Sequence, residues 1–237
     1  MSAVRTHPGR PSAAFVLNLF EEAGASVAPG FAQIVRGLDW ETFADSVGAF
    51  AATIRPQSNP QALARIFRHH AETEGVGAEV IGFVASTIAD ERHRRTMSRH
   101  AADERRHCRI FSAMADVADG TCGISPAPSP APDAFVDQYD GDLPSFLCDT
   151  HFAEVRNVFY LSTLSENIHH PDVLAQHKIQ AGLARVIGDE KRHVLSTATI
   201  LNELLSGDPL MRDRLASGLA GYAAFIREEA ERAAAAS

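Results

Sequence analysis

Four stretches of this sequence space their apolar residues at alternating steps of three and four, and one carboxylate interrupts each stripe. The first runs Leu63, Phe67, His70, Glu74, Gly77, Ile81, Val84, Ile88, and the second Met97, His100, Ala101, Glu104, His107, Cys108, Phe111, Met114. The third runs Leu147, His151, Glu154, Val158, Leu161, Ile168, and the fourth Ile179, Leu183, Val186, Glu190, His193, Val194, Thr197, Leu201. This period marks one face of an α-helix and is incompatible with the two-residue period of a strand. The stripes predict helices over about 60–88, 91–118, 144–168 and 171–205, each roughly 40–50 Å long at 1.5 Å per residue.

Proline and its neighbours set the boundaries. Asn59-Pro60, His170-Pro171 and Asp208-Pro209 each offer Pro at a first helical position, where its missing N–H costs nothing. Asn59 and Asp208 are N-cap types, and Asp142 lies just ahead of Leu143-Pro144. The Pro-, Ser- and Ala-rich stretch TCGISPAPSPAPDAF reads as a connection, about 120–143, between two helical halves. Shorter helices are predicted over about 12–24, 38–54 and 209–234. Residues 1–11 are expected to be a loose tail, and 12–237 one all-α domain in which tight turns make antiparallel hairpins of the first and second, and of the third and fourth, long helices.

The broad chemistry excludes several classes. A net charge of −8 argues against a nucleic-acid surface built on excess Lys and Arg. The three cysteines, Cys108, Cys122 and Cys148, form no CxxC pair, which fits a reducing cytoplasm better than a disulfide framework. No signal-peptide core and no membrane-length apolar run is visible, so a cytoplasmic chain without a membrane partner is expected.

The four carboxylates carry the chemistry. Glu72 shares its face with Arg65, Arg68 and Glu79 and reads as solvated, whereas Glu74, Glu104, Glu154 and Glu190 fall within apolar stripes. Four uncompensated carboxylates in one core are prohibitive, so each must protonate or meet a cation. Two divalent metals would balance them. His107 and His193 follow Glu104 and Glu190 by three residues, on the same helix face, and add neutral nitrogen donors. Oxygen and imidazole donors suit iron or manganese. A lone Glu-x-x-His is ordinarily a surface pair. Here it recurs on two matching stripes, each with an upstream Glu, at separations of 30 residues (Glu74 to Glu104) and 36 residues (Glu154 to Glu190).

One Glu from each of two helices plus Glu-x-x-His from each of two others resembles the ferritin-like di-iron carboxylate superfamily over about 60–205. The fuller Asp-Glu-x-Arg-His form, at 103–107 and 189–193, is similar to the paired motifs of bacterial multicomponent monooxygenase hydroxylases, whose catalytic subunits are far longer. The resemblance implies a ferritin-like four-helix bundle with additional N- and C-terminal helices. It also implies that Glu74, Glu104, His107, Glu154, Glu190 and His193 bind iron. Asp103 and Asp189 are then expected to orient ligand histidines, with Arg106 and Arg192 pairing to them. His100 gives His-x-x-x-Glu-x-x-His, similar to arylamine N-oxygenases, although there the extra His belongs to the second motif. His70 and His151, one turn before a Glu, are expected beside the metals, as an extra donor or as pocket residues. Gly75, Gly77 and Gly82 read as close packing, a bulge, or space near the site.

These features predict an O2-dependent di-iron oxidoreductase of monooxygenase type, with two Fe ions (Mn/Fe or Mn as variants) and O2 as co-substrate. It would hydroxylate or N-oxygenate a small organic substrate, take electrons from an external reductase or ferredoxin, and allow a homodimer. An iron-storage or ferroxidase protein, an aldehyde-deformylating enzyme and a tRNA-modifying enzyme are the alternatives. A ribonucleotide-reductase subunit is disfavoured, because Phe111 stands where its radical Tyr is expected.

Overall fold

The computed structural model describes residues 9–54, 58–120, 139, 141–204 and 208–235. Every regular element among them is helical: α1 (Ala13–Glu22), α2 (Pro29–Gly37), α3 (Trp40–Ala51), α4 (Pro60–Thr87), α5 (Glu91–Asp119), α6 (Leu143–Asn167), α7 (Val173–Leu204) and α8 (Met211–Ala235). The expected tail over 1–11 and the Pro-rich connection over 120–143 lie largely outside the described residues. No described helix is long and apolar enough to cross a membrane.

The caps follow from side-chain chemistry. Asn59 accepts from the Ala62 N–H at 2.9 Å and Asp90 from the His93 N–H at 2.8 Å, each satisfying a donor that the first helical turn leaves open. Gly120 ends α5 in the left-handed region at φ 70°, where a side chain would be strained. Pro171 does not open α7. The helix starts at Val173, and Asp172 caps it through the Ala175 N–H at 2.7 Å. Asp208 likewise accepts from Leu210, ahead of a helix that starts at Met211. A short helix, α2, opens at Pro29 where none was expected, and the helix expected over 38–54 is shorter than that span.

The chain divides into two compact units, one of residues 1–55, 144–166 and 190–237, the other of residues 56–143 and 167–189. In the second unit α4 and α5 run antiparallel. Glu79 meets Arg105 at 3.3 Å, Glu74 meets His107 at 3.8 Å, and Phe67 stacks near Phe111 at 6.4 Å, so partner numbers fall as position rises. The N-terminal half of α7 packs on α5 through Gly182, where an added Cβ would lie 2.5 Å from the Met114 sulfur. His170 anchors the turn before α7, its Nε2 lying 3.0 Å from the Ala118 carbonyl.

In the first unit the C-terminal half of α7 runs antiparallel to α6, with His193 opposite Glu154 and Thr197 opposite His151. Phe152 of α6 meets both Trp40 and Phe43 of α3. Gly218 lets α8 approach α6, since an added Cβ there would lie 3.0 Å from Cys148 Cβ.

Candidate metal centre

All four carboxylates of the stripes are buried: Glu74 is 8%, Glu104 4%, Glu154 4% and Glu190 0% exposed, whereas Glu72 is exposed. The stripe positions around them, from Leu63 and Phe67 to Val194 and Leu201, are the core.

In the second unit α4 supplies Glu74 and α5 supplies Glu104 and His107. The fully buried His107 ring has Nδ1 3.3 Å from Glu104 Oε2 and 3.8 Å from Glu74 Oε2. The three residues bring one ligand atom each to within 4.8 Å of one another. The other nitrogen of His107, Nε2, lies 3.2 Å from Asp189 Oδ2 on α7. Both ring nitrogens face carboxylates, which only accept; in the neutral ring with its proton on Nε2 toward Asp189, Nδ1 turns a lone pair toward Glu74 and Glu104. Three acceptors then converge on one point, an arrangement that a cation stabilises and water-free burial does not. Burial, with Glu104 beside it, holds the Glu74 carboxyl well above the ordinary carboxylate range, the same conflict expressed as protonation.

Arg106 fixes Asp189. Its Nη2 donates to Asp189 at 2.6 Å and its Nη1 reaches Asp103 at 2.6 Å, and Asp189, aided by Asp103, raises its pKa despite partial burial. Each ligand His was expected to be oriented by one of the paired Asp residues. For His107 the Asp comes from the other pentad. Arg192 is exposed, and Asp189 receives Arg106 from the other pentad. His100 sits one turn before Glu104, with Nε2 2.9 Å from Glu104 Oε1.

In the first unit the same set recurs. His193 Nδ1 lies 3.4 Å from Glu190 Oε2 on its own helix and 3.8 Å from Glu154 Oε2 on α6. One turn away, His151 Nδ1 lies 3.0 Å from Thr197 Oγ1, and that hydroxyl donates to the His193 carbonyl at 2.8 Å. With the hydroxyl proton spent, His151 donates from Nδ1 and keeps a lone pair on Nε2. Burial pushes its pKa down to about 4, against the raising influence of Glu154.

Family models, curated proteins and solved structures give no match to this chain.

The remaining sequence candidates fall around these sets. His70 is half-buried and stacks on Phe111 at 4.9 Å. The Cys108 thiol is pushed up by burial and then by the Glu74 charge. Gly82 permits close packing, an added Cβ falling 3.2 Å from Arg105 Nη2, whereas Gly77 faces open space, and α4 is α-helical throughout without a bulge. Thr197 escaped notice as a functional residue. Its signal was present, since it is the only hydroxyl in the fourth stripe, one turn past His193.

Proposed function

We propose that the chain is a ferritin-like helical bundle that binds two iron ions, with manganese able to replace one or both. It uses O2 to oxidise a small organic substrate by hydroxylation or N-oxygenation. The observation that carries this reading is the duplicated buried acceptor set, in which a His Nδ1 lies 3.3–3.4 Å from one Glu and 3.8 Å from another. Each set is two carboxylates and one imidazole, a donor chemistry that suits Fe(II) and Mn(II). Two divalent ions neutralise the four buried carboxylates that apolar surroundings otherwise penalise.

Bound ferrous ions supply the reducing electrons for dioxygen. The protein's own part is to hold and shield. With Asp189 accepting from Nε2, His107 would keep Nδ1 for metal, and Arg106 holds Asp189 in place through a 2.6 Å contact. Val158, Leu161, Val186 and Val194 line the stripes beside the ligands and exclude water. His151 stays neutral at physiological pH and offers Nε2 as a proton acceptor one turn from Glu154.

The test is anaerobic loading with Fe(II), then exposure to 18O2 with a reductant and a panel of amines, aromatics and acyl chains. Substrate-dependent oxygen uptake with label in an organic product is expected. Iron oxidation without any organic product, from a very large assembly on sizing, would assign the chain to iron storage instead.

A further inference from the structure

Thr197 stands on α7 one turn past His193 and is fully buried, in a stretch where Val194, Ala198 and Leu201 are buried too. Valine would fill the same space there with no polar group to satisfy. The hydroxyl has a definite set of partners instead. Its oxygen lies 2.8 Å from the His193 carbonyl and 3.1 Å from the Val194 carbonyl, so its proton is donated back along its own helix. Only lone pairs are left to offer, and His151 Nδ1 meets them from α6 at 3.0 Å.

A neutral imidazole carries its proton on either nitrogen, and the partner decides which. An oxygen that can only accept holds that proton on Nδ1. The His151 ring also packs edge-on against Phe152, with centroids 5.3 Å apart, which limits its rotation. Burial favours the uncharged ring. The hydroxyl therefore does something that a methyl group in its place would not: it selects one tautomer of a buried histidine three residues from Glu154.

We propose that Thr197 is a positioning residue for His151: by accepting from Nδ1 it keeps the lone pair on Nε2, and so makes His151 a way station for the protons that oxygen reduction consumes. That last step rests on the redox-metal reading above. Placing one atom of O2 in a substrate and releasing the other as water takes up two electrons, from the external reductant, and two protons, from water. A proton arriving on Nε2 makes the ring cationic with Nδ1–H still donated to Thr197. Its departure restores the neutral ring, so neither the hydroxyl nor the ring has to turn.

The first arm of the test needs no metal. In the 15N-labelled, metal-free full chain, the His151 ring nitrogens are assigned by their absence from His151→Gln. The wild-type ring should carry its proton on Nδ1. Thr197→Val should show a mixture or the Nε2–H form, and Thr197→Ser, which keeps the hydroxyl, should restore the wild-type pattern. If Thr197→Val does not fold, the wild-type spectrum still decides the tautomer. The second arm loads wild type and both Thr197 variants with Fe(II) anaerobically, measures iron content, then mixes them with O2 and follows iron oxidation by stopped flow. Iron content should be equal in all three. Oxidation should be at least fivefold slower in Thr197→Val and return to within about twofold of wild type in Thr197→Ser. A wild-type ring with its proton on Nε2, or wild-type signals in Thr197→Val, would overturn the proposal. So would an unchanged oxidation rate in Thr197→Val, or its loss of iron, which would make the hydroxyl a support for His193 rather than for His151. A wild-type chain that takes up no iron fails at the loading step and counts against the metal reading, while the tautomer arm still decides what Thr197 does to His151.

Discussion

Glu74 is where burial and charge conflict most plainly. Its carboxyl titrates high because desolvation and the neighbouring Glu104 both oppose its charge. A raised folded-state pKa stabilises below the unfolded value and is a cost that grows as pH rises through the folded one. Glu74→Gln should therefore raise the melting temperature of the metal-free chain at pH 7.5, by about 2–4 °C for each kcal/mol gained, and should lower the rise in melting temperature that Fe(II) produces. Differential scanning calorimetry with and without metal checks both signs. His151 has the opposite dependence. Its folded pKa of about 4 lies below the ordinary 6.5, so the unfolded chain binds the extra proton first. Its contribution is present above about pH 6.5 and is lost between there and pH 4, by roughly 3 kcal/mol in full. In metal-free protein His151→Gln should flatten the acid limb of the stability curve over that window, measured by urea unfolding at half-unit pH steps.

Among helices, the sequence was most readable where periodicity is longest. The stripes of α4 to α7 became core residues because each spans many turns, and the four interrupting carboxylates stayed on the buried face. Helix starts were less legible. Pro171 and Pro209 fit a first helical turn, yet the helices start two residues later, at Val173 and Met211, with Asp172 accepting from the Ala175 N–H and Asp208 from the Leu210 N–H. Helix α2 was missed because nine residues hold too few turns for a stripe to stand out. The inter-motif bond from His107 to Asp189 was illegible for a different reason. The Asp-to-Arg spacing of three in each pentad suggested local pairs, and only packing of α7 on α5 shows that Arg106 reaches across. Glycine gives an element-scale test. Gly77 faces open space within a helix, so Gly77→Ala should stabilise by up to about 1 kcal/mol. Gly218→Val should destabilise by roughly 1–3 kcal/mol, because its Cβ would press on Cys148 Cβ. Equilibrium denaturation of the two variants reads the opposite signs.

For the molecule as a whole, the proposed metal binding would make folding and metal loading one linked equilibrium. The apolar stripes supply most of the stability, but they also desolvate four carboxylates, and the cost falls when cations bind. All-helical architecture and the inward-facing Glu and His followed from periodicity and charge alone. The substrate did not, because its pocket depends on side-chain volumes around the ligands rather than on any repeating pattern. The most direct measurement is metal content after anaerobic incubation with Fe(II) and removal of loose ions, on the wild-type chain and on Glu104→Ala and His193→Ala. The account predicts about two tightly held ions per chain and loss of at least one in each variant. A wild-type chain that retains neither iron nor manganese, or variants that retain as much as wild type, would contradict it.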